Sequence, residues 1–130
     1  MDKRDKRTVL ICDTDADHSF TLEGELRNHG YEVVVINDAT ELLATAKSLK
    51  PTAILANPDM NGFNEYDVCK YIMKEMGIPV MLLMDKTSTH RAQVGDCRAD
   101  EELTKPVACD TLLNLIAKQM TMHHSNPSSL

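Results

Sequence analysis

Tryptophan is absent, and two phenylalanines and three tyrosines in 130 residues hold the aromatic share to 4%. An isoalloxazine ring would find little to stack on, and no G-x-G-x-x-G or other glycine-rich phosphate loop follows an apolar run, so flavin or nucleotide binding is the least favoured reading. No stretch approaches the roughly 20 apolar residues of a membrane span. The start, Met1-Asp-Lys-Arg-Asp-Lys-Arg7, lacks the apolar core of a signal peptide, and the expected location is the cytoplasm. A basic excess is missing as well: 14 Lys and Arg stand against 20 Asp and Glu, a net charge of -6. Sequence-independent nucleic-acid binding needs a basic surface and is not expected of this chain. Cys12, Cys69, Cys97 and Cys109 form no C-x-x-C pair and fall in apolar or helical contexts, which predicts reduced core thiols rather than a zinc site or disulfides.

What is present describes one ordinary globular domain, with 42% hydrophobic and 26% charged residues. Its expected extent is 8–122. Residues 1–7, where Lys3, Arg4, Lys6 and Arg7 alternate with Asp2 and Asp5, read as a solvated tail, and 123–130 as a tail or linker.

Within that extent the pattern alternates. Thr8–Cys12 is a continuous apolar run and reads as a buried strand; Phe20, Leu22 and Leu26 recur at near-helical spacing over Asp17–His29, with Gly30 as the stop. Tyr31–Ile36 is β-branched and predicts the second strand, Asn37-Asp38 a turn or N-cap, and Ala39–Leu49 the second helix. Thr52–Ala56 is a third strand, Asn64–Met76 an amphipathic helix closed by Gly77, and Ile78–Met84 a fourth strand. The segment 87–97 predicts a fourth helix on a thin apolar pattern, Glu101–Leu103 a short last strand and Ala108–Met120 a final helix. Five strand-helix repeats with short connections predict an α/β fold, a doubly wound five-stranded parallel sheet in the order 2-1-3-4-5 between two helical layers. Ligands of such sheets bind beyond the carboxyl ends of the strands at the switch point, here between strands one and three. Asp13, Thr14 and Asp15 leave strand one there, and Asn57-Pro58-Asp59 leaves strand three.

The ordered set Val9-Leu-Ile-Cys-Asp13, Gly30-Tyr-Glu-Val-Val, Lys50-Pro51, Asn57-Pro-Asp-Met-Asn-Gly62, Tyr66-Asp-Val-Cys-Lys70, Ile78-Pro-Val and Ala99-Asp-Glu-Glu-Leu-Thr-Lys105-Pro106 resembles the receiver domain of bacterial two-component response regulators over about Thr8–Met120. The resemblance implies a flavodoxin-like, CheY-like fold and a phosphoacceptor pocket, and this chain departs from that pocket. Asp13 matches the first of two adjacent acids, but Thr14 stands at the second. Asn57 falls on the phosphate-accepting Asp, Met84 on the switch Thr or Ser, and Glu102 on the switch aromatic. Lys105 and Pro106 match, with a cis peptide between them implied.

A carboxamide cannot supply the oxygen that attacks phosphorus, and Thr14 and Asn57 leave too little charge for magnesium. The expectation is a pseudo-receiver: no enzyme, no cofactor, no phosphate control, and a vestigial pocket of Asp13, Thr14 and Asp59 in which Lys105 pairs with Asp13 and meets the Asn57 carbonyl oxygen. Its partner would be a protein, such as a histidine kinase, an output domain or another signalling protein, docking on the face of the fourth helix, fifth strand and final helix near Arg91, Glu102, Asp110 and Asn114; a homodimer is compatible. The alternative is a working phosphoacceptor that uses Asp59 or Asp15 with magnesium, Asp13 and Asp59 being the weak candidates to hold the metal. His18, His29 and His90 show no ligand spacing and read as surface residues.

Overall fold

The computed structural model describes residues 7–58, 60, 66–85 and 101–124. The predicted helix over 87–97 lies outside them, with Asp59, His90, Arg91 and Cys97. Five strands form one parallel sheet: β1 (Arg7–Cys12), β2 (Tyr31–Ile36), β3 (Ala53–Ala56), β4 (Val80–Met84) and β5 (Glu101–Thr104), in the order β2-β1-β3-β4-β5. The predicted strand order is the observed one.

Four described helices cover the sheet. They are α1 (Ala16–Asn28), α2 (Leu42–Leu49), α3 (Tyr66–Tyr71) and α4 (Cys109–His124), the last being the predicted final helix. Because side chains alternate along a strand, β1 sends Leu10 and Cys12 to one face and Val9 and Ile11 to the other. The first face packs Ile54, Ala56, Val80, Leu82 and Met84 against Leu42, Ala46, Cys69 and Ile72 from α2 and the α3 region. The second packs Ala53, Leu55, Met81 and Leu83 against Leu22 and Leu26 of α1 and Leu112 and Ile116 of α4.

Boundaries differ from the sequence reading where a backbone group decides them. Pro79 has no N–H for the ladder, so β4 opens at Val80, although Pro79 O still accepts from Ile54 N at 3.0 Å. Asp38 caps the second helical segment, its Oδ1 accepting from Thr40 N at 2.9 Å and Thr40 Oγ1 at 2.6 Å, but the first turn, Ala39–Glu41, is 3-10. That segment ends on Lys50 at φ 51, a left-handed C-cap on a residue other than glycine, directly before buried Pro51. The third helix widens into a π turn over Ile72–Met76, where the Gly77 N–H reaches back to Ile72 O. α4 runs to His124, beyond the predicted end at Met120 and into the expected tail.

Phe20 is a correction. The inward stripe of α1 is Ser19, Leu22 and Leu26, and Phe20, one residue or about 100° from Ser19, is 77% exposed. Leu26→Ala should therefore cost about 2–5 kcal/mol and Phe20→Ala within about 0.5 kcal/mol of nothing; urea unfolding of the two variants measures both.

Candidate functional site

The pocket is assembled where β1, β3, β4 and β5 end side by side. Asp13 N donates to Ile36 O at 3.0 Å, Asn57 N to Cys12 O at 2.9 Å and Lys105 N to Met84 O at 2.8 Å. Backbone pairing of the sheet thus carries past the last ladder residue and fixes Asp13, Asn57 and Lys105 beside one another. All three are buried, with 2%, 4% and 7% of their surface exposed. The Lys105–Pro106 peptide is cis.

Side chains complete the arrangement. Lys105 Nζ lies 2.7 Å from Asp13 Oδ2, and Asn57 Nδ2 donates to Asp13 Oδ1 at 2.9 Å. The same Oδ1 accepts from Asp15 N at 3.1 Å. Asp13 Oδ2 has no well-aligned hydrogen bond despite that short ion-pair distance, so its counterpart is the ammonium charge. The expected Lys105–Asp13 pair is present. Asn57 meets Asp13 through its amide nitrogen.

Two more carboxylates face the lysine: Asp15 Oδ2 at 3.4 Å and Asp85 Oδ1 at 3.5 Å, both side chains close to half exposed. Asp15 is also the N-cap of α1, accepting from His18 N at 3.1 Å, and this bond, with the Lys105 charge, holds its pKa below the ordinary 3.8. Burial works against the Lys105 ammonium, but Asp13, Asp85 and Asp15 outweigh it and raise its pKa above 10.5.

The other candidates are placed plainly. Thr14 is exposed. Met84 is fully buried in the layer of α2 and α3 with Cys12, Ala56 and Met60. Cys12 sits directly beneath Asp13; burial, with Asp13 beside it, pushes its thiol up to about 12, and its Sγ rests 3.8 Å from Met60 Sδ. Cys12 and Cys69 are buried free thiols, whereas Cys109 is only half-buried. Glu102 is exposed on β5, the sheet edge, and Asp110 and Asn114 are exposed on α4.

Two pocket residues escaped the sequence reading. Asp85 follows directly on β4, and that position at a strand's carboxyl end was its signal. His18, expected at the surface, is half-buried: its Nε2 accepts from Val107 N at 3.4 Å and ties α1 to the segment after Pro106, while Nδ1 is buried without a hydrogen bond.

The model of the response regulator receiver domain matches residues 9–117. The chain belongs to that family. The DNA-binding response regulators MtrA of Mycolicibacterium paratuberculosis and Mycobacterium tuberculosis are each 27% identical to it over 126 residues, 96% of this chain. The chain spans just over half the length of those relatives, 56% and 55%. Among solved structures, the signal receiver domain of a modulated diguanylate cyclase from Desulfovibrio desulfuricans matches with a TM-score of 0.81 at 22% identity, covering 92% of this chain and 98% of that one. Chemotaxis protein CheY4 of Vibrio cholerae matches at 0.72 and 25%, covering 87% and 98%.

In this receiver the donor set does not fit the magnesium that the family pocket implies. Both oxygens of Asp13 are engaged by protein groups, and Asn57 and Thr14 are neutral. Among the described residues no three His, Cys, Asp or Glu side chains are set to hold a metal.

Removing one partner of a buried ion pair strands the other charge, so Lys105→Met should cost about 3–5 kcal/mol by urea unfolding, and adding Asp13→Asn should recover part of it. His18 sets a pH dependence. Burial and the Lys105 ammonium lower its pKa from 6.5, so the unfolded chain takes up the proton first and stability falls as pH drops below 6.5 toward the folded value. His18→Gln should flatten that part of a curve of urea midpoint against pH. Asp15 contributes above 3.8 and is lost in more acid solution; Lys105 contributes below 10.5 and is lost in alkali.

Proposed function

We propose that this receiver works as a pseudo-receiver, a non-catalytic signalling module that is recognised through its surface and is not switched by phosphate. The observation that carries the reading is Asn57 at the end of β3, its amide nitrogen bonded to Asp13. Phosphoryl transfer needs a carboxylate oxygen as nucleophile at that place and hard ligands for a divalent ion beside it. Buried Met84 offers no hydroxyl to a phosphoryl oxygen. Without that ligand the domain has no bound group to shift it between two states, since a ligand moves an equilibrium only through differential affinity.

The partner is a protein of the same signalling system, docking on the edge formed by β5 and α4, where Glu102, Asp110 and Asn114 are exposed. A homodimer through that edge is the other occupant. The helix expected over 87–97, with Arg91, would extend the surface and lies outside the described residues. Among the described residues no helix is long and apolar enough to cross a membrane, which is compatible with a cytoplasmic module.

The test is intact mass after incubation with acetyl phosphate and magnesium. The expected outcome is an unchanged mass. A gain of one phosphoryl group, abolished by Asp59→Asn or Asp15→Asn, would establish the relocated phosphoacceptor instead. Asn57→Asp alone is expected to stay unlabelled, because Thr14 and Met84 still leave metal and phosphoryl oxygens unsupported; strong labelling of that variant would show that those two positions matter less than argued.

A further inference from the structure

We infer that the Lys105 ammonium is the resident cation of this pocket, clamped by Asp13, Asp15 and Asp85, and that Asp85 is a positioning residue which helps Lys105 exclude divalent ions and hold the segment after β5 in place. The inference shares with the proposed function only the premise that Asn57 leaves the pocket short of a ligand.

The three carboxylates arrive from separate places: the end of β1, the N-cap of α1 and the residue after β4. Their oxygens stand 2.7, 3.4 and 3.5 Å from Nζ. Those are ammonium-to-carboxylate spacings. Magnesium would draw its oxygens to about 2.0–2.1 Å and calcium to about 2.3–2.6 Å. A metal would also need an oxygen of Asp13, and both are taken: Oδ1 by Asn57 Nδ2 and Asp15 N, Oδ2 by the ammonium.

A tethered cation differs from a free one in consequence. It is always present, so the ends of β1 and β4, the start of α1 and the Lys105–Pro106 segment are tied together without a ligand. Lys105 N bonding to Met84 O and Val107 N bonding to His18 Nε2 close the tie on either side of Lys105. Asp85 contributes the only described contact to the ammonium from the β4 side. It is partly solvated, so its share is that of a weak, partly exposed contact.

The experiment uses the full chain labelled with 15N. Manganese, a paramagnetic stand-in for magnesium, is titrated to about 10 mM, above the millimolar limit of weak protein sites. The amides of Asp13, Asn57 and Lys105 are expected to stay sharp; saturable broadening centred on them would overturn the inference even if the protein still took up no phosphate. In parallel, the Lys105 ammonium is expected as a slowly exchanging 1H–15N signal. Asp85→Asn should speed its exchange by about fivefold, the ratio for one weak charge contact, and Glu75→Gln, an exposed charge change at the far end of the third helix, should leave it unchanged. Equal exchange in the Asp85→Asn variant and the parent would remove Asp85 from the clamp. Labelling by a phosphodonor with sharp pocket amides would overturn the proposed function and leave this inference standing.

Discussion

The ion pair between Asp13 and Lys105 is the constraint around which the functional end of this domain is built. Two opposite charges are nearly sealed at the ends of β1 and β5, the two joined by β3 and β4 between them. Taking both out of water costs several kcal/mol per ion, and the cost is met only because each is further satisfied: Asp13 by Asn57 and the Asp15 N–H, Lys105 by two half-exposed carboxylates. The pair is therefore poor evidence for net stability and good evidence for specificity, because it tolerates one arrangement of the strand ends.

The sheet makes that arrangement available at low cost. Parallel pairing aligns the strand ends, and the backbone bonds from Asp13 to Ile36, Asn57 to Cys12 and Lys105 to Met84 extend the alignment one residue past the ladder. Alternation then sorts the neighbours. Cys12 and Met84 turn into the apolar layer beneath α2 and α3, where the buried thiol is inert, while the polar residues that follow them turn to the crevice. A receiver built this way keeps the family's scaffold while the amide of Asn57 and the ammonium of Lys105 both lie against Asp13 at its carboxyl end.

Much of the fold was legible because its signals are local. The continuous apolar runs Val9–Cys12 and Val80–Met84, the β-branched Tyr31–Ile36 and the stops at Gly30, Pro51 and Gly77 each report on their own few residues, and the alternation they spell admits few topologies. Phe20 shows the limit. Hydrophobicity at near-helical spacing does not say which side of a helix meets the sheet, and small, polar Ser19 took the inward position. The candidate site was half legible: Asn57, Asp13 and Lys105 were found through the order of their motifs, whereas Asp85 and His18 were passed over because neither belongs to a short pattern.

The sequence by itself determined the parallel α/β order and the amide of Asn57 at the end of the third strand, since each depends on residue type and place along the chain. Only the tertiary structure decided which carboxylates share the lysine and which nitrogen of the pocket meets Asp13. Contacts between residues 13, 15, 57, 85 and 105 are set by strand register, helix capping and the turn of single side chains, and none of these is written in the spacing of the sequence.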